Sequence, residues 1–569
     1  MFSLRSRDLY EKLTFWKNII FSIVNVSSFI WFFVSSIILY NISTQKILIL
    51  FYILLFELFI NISFDIYINF ILKKKMIKEL LNISKETKLP TQLPKVVYVY
   101  TCHNDFWEAR ILQNMKQSYS NIEYWVSDGS SNQEVKENIK RFCQKHKINY
   151  YSMDRPSLHK ADNLNSFLKN SKVKFDYLLI SDADVALDIH FVSSSLKFFY
   201  YKDQKRLGWV SSNMNNYKGN NLWNNIMLDS ENINFANLIT KNFKSQFSAN
   251  LYSSACLIKK EVLSDFYMQF PNSCLEDYWL ELLATKKYWY GLINPLTMSM
   301  QAFDKNINVN FIRIFRVNDW IIKFFKTEFF KSQNEEKKDQ YKNFFNTMIF
   351  SIWKFFLPLI IALFISFIFS HLQEISQIVL DNQLIFWANI VFLCFLMLIN
   401  CLMYLLKIIF IVKWRIVPYL ILNVFYQVSK FWFETIRFFN AFFRSKYANF
   451  TPTRGRATKT KYLFKKQTLL FLIMSILMFA INIPFILTNF YIANFGSLFL
   501  FSFLNILIGS IWLSLFFFFI SYGLSFIKTN KKYNENDFVY CTNKFSKQEK
   551  LIQKWCQDNN VTLEQVLNW

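Results

Sequence analysis

The chain has 569 residues, 53% hydrophobic and 20% aromatic, with 66 Phe against only 8 Gly and 9 Pro. Apolar runs of about 20 residues recur along it and read as membrane-spanning helices, which excludes a wholly water-soluble protein. A formal net charge of +25 could point to nucleic acid, but the basic residues cluster beside the apolar runs, where anionic lipid headgroups explain them and nucleic acid is not the expected partner.

Six spans are predicted, at 19–40, 47–72, 347–370, 384–406, 468–492 and 498–527. The first run is long and lacks a small-residue cleavage site, so it is expected to stay as an anchor. Arg5, Arg7, Lys12 and Lys17 precede the first span, and Lys73, Lys74, Lys75 and Lys78 follow the second. A cluster from Arg444 to Lys466 precedes the fifth span, and Lys528, Lys531 and Lys532 follow the sixth. The 371–383 hairpin carries Glu374 and Asp381 and no Lys or Arg. By the positive-inside rule the chain is expected to be a multi-pass protein of the cell membrane, with both termini and the 73–346 block cytoplasmic. Glu57 lies inside the second span, where a carboxylate is costly and is expected to face protein or water, as in a translocation path.

Between the first two pairs of spans, 88–310 alternates short strands and helices. Val96–Tyr100, Tyr124–Val126 and Tyr177–Ile180 are apolar runs ending in polar turns, and 106–118, 132–146 and 160–170 have helical composition. This pattern predicts an α/β domain with a mostly parallel sheet and helices on both faces. In such a sheet ligands bind beyond the carboxyl ends of the strands. Thr101, Asn104 and Asp105 lie at one such end, Ser127-Asp128-Gly129-Ser130 at another, and Asp182-Ala183-Asp184 at a third. A D-x-D step suits a hard divalent cation that also takes phosphates, although Asp pairs after strands also cap helices and make turns. Three polar strand ends on one edge favour a site. The eight cysteines, at 102, 143, 256, 274, 394, 401, 543 and 556, form no C-x-x-C pair, and the five histidines show no ligand spacing, so neither disulfides nor zinc are expected.

Beyond the domain, 311–346 mixes large apolar residues with Arg313, Arg316, Lys323, Lys326 and Lys331, as a helix lying in the membrane interface does. A second interface helix is expected at about 416–443, with Lys430, Glu434 and Arg437 on one polar stripe. The expected organisation is a hairpin at 1–78, the cytoplasmic domain at 88–310, interface helices at 311–346 and a hairpin at 347–412. An interface helix with a basic loop at 413–466, a hairpin at 467–527 and a tail at 528–569 complete it.

Five elements in order carry a family resemblance. Tyr100-Thr101-Cys102-His103-Asn104-Asp105 looks like an opening nucleotide loop, and Ser127-Asp128-Gly129-Ser130 like a D-D-G-S element with its first Asp replaced. His159-Lys160-Ala161-Asp162-Asn163-Leu164-Asn165 is similar to K-A-G-A-L-N, Asp182-Ala183-Asp184 is the D-x-D, and Leu275-Glu276-Asp277 resembles T-E-D. The block resembles the inverting, GT-A-type family-2 glycosyltransferases, specifically the membrane-embedded synthases of the cellulose synthase and hyaluronan synthase group. The resemblance implies a cytoplasmic GT-A (nucleotide-diphospho-sugar transferase) domain joined to an α-helical bundle of about six spans with amphipathic interface helices. It implies a processive enzyme that extends and translocates a β-linked polysaccharide from a UDP-sugar, UDP-glucose first among the candidates. A non-processive enzyme adding one sugar to a polyprenyl phosphate or glycolipid is the alternative, and a transporter or scaffold that merely binds nucleotide is a third reading.

Roles follow from the resemblance. Asp184, with Asp182 nearby, is expected to hold Mg²⁺ or Mn²⁺ against the diphosphate, and Asp128 to accept a hydrogen bond from the uracil imide. Thr101, Asn104 and Asp105 would belong to the donor site. Lys160 would support the phosphates or the nucleotide loop, or else be an ordinary lysine at a helix start. Asp277 is the expected general base, with Glu276 supporting it and Trp279 a candidate for sugar stacking. The family's Q-x-x-R-W element is poorly matched: Arg316 and Trp320 lie one turn apart, without the glutamine, and could contact diphosphate and acceptor or simply anchor the helix. Thr453 and Arg454, in Phe450-Thr451-Pro452-Thr453-Arg454-Gly455-Arg456, resemble a gating loop over the donor phosphates or else form a basic juxtamembrane loop. The tail is too short for the cyclic-di-GMP-binding domain of bacterial cellulose synthases.

Overall fold

The run Val96–Cys102 (β1) is buried along its whole length, as a strand covered by helices on both sides requires. The computed structural model describes residues 73–201, 205–216, 251 and 254–301, with the single positions 319, 322, 323, 419, 423, 509 and 557. Around β1 the elements are α1 (Lys73–Glu86), α2 (Glu108–Asn114), β2 (Ile122–Asp128), α3 (Gln133–His146), β3 (Asn149–Ser152), α4 (Lys160–Asn170), β4 (Tyr177–Asp182) and β5 (Val185–Ala186). There follow α5 (Phe191–Tyr200), β6 (Leu207–Asn216), β7 (Ala255–Lys259), α6 (Lys260–Ser264), α7 (Glu276–Lys286) and β8 (Tyr290–Gln301).

The strands form one sheet in the order β3-β2-β1-β4-β7-β6-β8-β5. β3, β2, β1 and β4 run parallel, joined by helical crossovers. β7 is antiparallel to both β4 and β6, and β5 is antiparallel to β8. The expectation of a mostly parallel sheet therefore holds for the first four strands and gives way to a mixed sheet beyond β4. Alternation along β1 separates two cores: Tyr98 and Tyr100 pack with α1, α2, α3 and α5, and Val97 and Val99 pack with α4 and α7.

Local signals explain the element ends. Asn132 caps α3 by accepting from the Glu134 amide at 2.9 Å, and Lys147 ends the helix in the left-handed region at φ 55. The 106–118 helix is shorter than expected, because it runs only over Glu108–Asn114. The domain also begins earlier than 88. Met76, Leu80 and Leu81 of α1 are fully buried against the core, so the helix after the expected second span belongs to this body.

Among the described residues no helix is long and apolar enough to cross a membrane. The six expected spans lie outside the described residues, Gly509 apart, as do Glu57, Arg316, Trp320, Thr453 and Arg454.

Candidate functional site

Pairing puts the polar strand ends level. Thr101 lies beside both Ser127 and Asp182, and Cys102 lies beside Asp128. The loops beyond are tied together by side chains. Asn104, in the left-handed region at φ 59, accepts from the Ser131 and Asn132 amides at 3.1 Å each. Its amide nitrogen donates to Ser131 Oγ at 2.9 Å, and its backbone N–H to Ser130 Oγ at 2.8 Å. Asn tolerates that conformation better than most residues. Asp105 accepts from the His103 amide at 2.6 Å, and Thr101 Oγ1 donates to the Ser181 carbonyl at 3.1 Å. The three residues expected to touch the donor thus also build the loop that would carry it.

Asp128 is tied into its own loop. It is fully buried, one oxygen accepting from the Ser130 amide at 2.8 Å and the other from the Tyr150 hydroxyl at 2.9 Å. Its carboxylate shapes the loop, and each oxygen keeps a further lone pair for another donor. Gly129 follows because nothing larger fits: a Cβ there would lie 2.1 Å from Ser157 Oγ. Ser157 in turn donates its amide to the Gly129 carbonyl at 3.0 Å and meets His103 Nδ1 at 3.0 Å.

The third cluster centres on Lys160, at the first turn of α4. His159 caps that helix, its Nδ1 accepting from the Asp162 amide at 3.2 Å. The Lys160 ammonium ion-pairs with Asp182, the lysine side chain being 15% exposed and the aspartate 36%. Burial pulls the lysine pKa down, but Asp182, Glu276 and Asp277 outweigh it and hold the group above its ordinary value. Four residues singled out from distant parts of the chain are therefore one electrostatic unit. Asp277 sits in the first turn of α7, its Oδ1 accepting from the Tyr278 amide at 2.8 Å. Glu276 is 4% exposed and Trp279 half-buried on the same helix. Cys256 lies nearby on β7; burial pushes its thiol up to about 12, which leaves it inert.

Asp184 is 8% exposed, one residue before β5. Among the described residues no group of three or more His, Cys, Asp and Glu gathers as a metal cage. Asp182 and Asp184 nonetheless fit Mg²⁺ or Mn²⁺, since such cations are commonly held by one or two carboxylates with phosphates and water completing the shell. From the expected interface helix the structure describes Asp319, fully buried, with Ile322 and Lys323. The Lys323 charge reaches His159, at the start of α4.

Sequence reading missed Tyr150 and Ser157, the partners of Asp128 and Gly129, and also Tyr98, Tyr100 and Asn114 behind the D-x-D loop. Tyr98 and Tyr100 could have been noticed as phenols on a strand that otherwise needs only apolar residues.

The family described as glycosyl transferase family 2 matches residues 96–266. A comparison with curated proteins finds no match. Among solved structures, the mannosyltransferase PcManGT from Pyrobaculum calidifontis, in complex with GDP-Man and Mn²⁺, is similar at 15% identity and TM-score 0.34, over 46% of this chain and 73% of that one. S. aureus TarS 1–349 in complex with UDP-GlcNAc is similar at 12% identity and TM-score 0.28, over 44% and 79%. GalNAc-T7 with UDP, GalNAc and Mn²⁺ is similar at 13% identity and TM-score 0.28, over 38% and 45%. None of these distant likenesses defines a donor for this chain. The matched residues, 96–266, hold the Tyr100–Asp105 and Ser127–Ser130 loops, Lys160 and the D-x-D, so this part of the chain is similar to a glycosyl transferase family 2 domain.

Proposed function

We propose that the chain is an inverting, processive glycosyltransferase of the cell membrane that polymerises a β-linked polysaccharide from a UDP-sugar, UDP-glucose first, and passes it through its own spans. The observation that carries transfer is the Lys160–Asp182 ion pair at the carboxyl edge of the sheet, in the charge field of Glu276 and Asp277. Membrane placement and processivity rest on the apolar runs and on the resemblance to cellulose and hyaluronan synthases.

In this reading the donor diphosphate lies over the D-x-D loop. Mg²⁺ or Mn²⁺, held by Asp184 with Asp182 alongside, would supply Lewis-acid neutralisation of the leaving group. Lys160 adds positive charge at the same edge. Asp277 takes the proton of the acceptor hydroxyl as its oxygen bonds to the anomeric carbon and the bond from that carbon to the phosphate oxygen breaks, releasing UDP. General-base help of this kind is worth about 10²–10⁴-fold. Glu276, almost fully buried beside it, supports the helix start, and Trp279 and Trp320 offer rings to the acceptor sugar. Asn104, Asp105, Thr101 and Asp128 shape the nucleotide loops, while Arg316, Thr453 and Arg454 would close over the phosphates.

The test is incubation of full-length protein in lipid with radiolabelled UDP-sugars and a divalent cation, followed by sizing and digestion of the product. Polymer is expected, shortened by Trp320→Ala and retained at the membrane by Glu57→Leu. Asp277→Asn should stop transfer while calorimetry still detects UDP binding. A single sugar on polyprenyl phosphate or glycolipid would replace processivity by the simpler transfer. No hydrolysis or transfer of any UDP-sugar would overturn the proposal.

A further inference from the structure

The D-x-D segment is held from behind by three polar side chains that are themselves buried. Tyr98, Tyr100 and Asn114 are each at most 1% exposed. Tyr100 donates its hydroxyl to the Ala183 carbonyl. Asn114 Nδ2 donates to the Val185 carbonyl at 2.9 Å and to the Tyr98 hydroxyl at 2.7 Å, and its Oδ1 accepts from the Leu187 amide at 2.8 Å. The Tyr98 hydroxyl also meets Ser181 Oγ.

Burying a hydroxyl or amide costs free energy unless it is bonded, and apolar residues would pack under the helices equally well. What these groups hold is the backbone around Asp184. The Ala183 carbonyl belongs to the peptide plane that leads into Asp184, and the Val185 carbonyl to the Val185–Ala186 plane, the second one after it. With the backbone pinned on either side of it, the direction in which Asp184 leaves the chain is restricted. Burial raises both tyrosine pKa values, so the phenols remain protonated donors at any physiological pH.

We infer that Tyr100 and Asn114 are positioning residues for a divalent cation bound with a nucleoside diphosphate, acting by aiming Asp184. This rests on the proposed reading of Asp184 as the metal ligand. Residues behind a ligand typically change metal affinity by about 10–100-fold.

The experiment uses full-length, detergent-solubilised protein, with Mn²⁺ binding followed by electron paramagnetic resonance in the presence of UDP. Tyr100→Phe removes one oxygen and keeps the ring. Its Mn²⁺ affinity is expected to fall about tenfold, with uridine binding unchanged, and excess Mn²⁺ should restore the rate of donor turnover. Asn114→Ser carries the same expectation if Tyr100→Phe does not fold. Unchanged Mn²⁺ affinity in the folded variant overturns the inference, as does parallel loss of uridine and Mn²⁺ binding that excess Mn²⁺ does not rescue. Wild-type protein that binds UDP but no Mn²⁺ would remove the metal reading itself. Normal Mn²⁺ binding by the wild type with no sugar transfer would count against the proposed function alone.

Discussion

Replacing Lys160 by Met removes the ammonium paired with Asp182 and leaves that carboxylate in the field of Glu276 and Asp277 without its cation. Breaking a buried ion pair by removing one partner costs about 3–5 kcal/mol. Here Asp182 is 36% exposed, so water screens part of that charge and about 2 kcal/mol is the better expectation. For a body of this size each kcal/mol moves Tm by about 2–4 °C, which predicts a fall of about 4–8 °C in apparent Tm. Loss of the cation should also weaken UDP binding by about tenfold or more, the equivalent of about 1.4 kcal/mol. Lys160→Met with Asp182→Asn tests the cause, because neutralising the stranded carboxylate should recover at least half of the lost stability without restoring transfer. Intrinsic-fluorescence melting and UDP titration of the four proteins in one detergent measure both quantities. Strictly additive losses, or a single variant as stable and as tight for UDP as the wild type, would refute the electrostatic unit.

Gly129→Ala should disrupt the nucleotide loop by about 2 kcal/mol or more, because its Cβ would lie 2.1 Å from Ser157 Oγ and 2.6 Å from Ser157 Cβ. Adding Ser157→Gly should recover most of the stability and UDP affinity, and failure to do so would place the clash elsewhere. Burial holds the His159 pKa below its ordinary value, so the unfolded chain binds that proton more readily than the folded one. Its contribution is therefore complete above the ordinary histidine pKa and is lost as pH falls below it. A pH series of melts should show this acid limb, and His159→Asn, which keeps a capping side chain, should flatten it. Burial also pulls Lys197 on α5 down to about 8. From there up to the ordinary lysine value the unfolded state binds more protons, so stability should rise with pH, and Lys197→Met should raise Tm at neutral pH and abolish the rise.

The patterns readable in the sequence were local ones. Apolar runs ending in polar turns located β1, β2 and β4, and α3 and α4 span the residues expected of them, because both depend on neighbours within one turn or one strand. Polar residues at strand ends likewise marked Thr101, Asp128, Asp182 and Asp184 as lying on one edge. Their partners were not legible. Asp182 meets Lys160 across 22 residues, Asp128 meets Tyr150 across 22, and Tyr100 reaches Ala183 across 83. The same limit hid the antiparallel β7, which is set by the strand it lies against, and the membership of α1, whose buried face is matched by α5 and β8. The resemblance made Asp128 a candidate for contacting uracil and put Tyr100 at the start of the nucleotide loop. Only the tertiary structure showed the bonds each one makes, Asp128 to Ser130 and Tyr150 and Tyr100 to Ala183, since a buried polar group bonds whichever partner the fold brings to it.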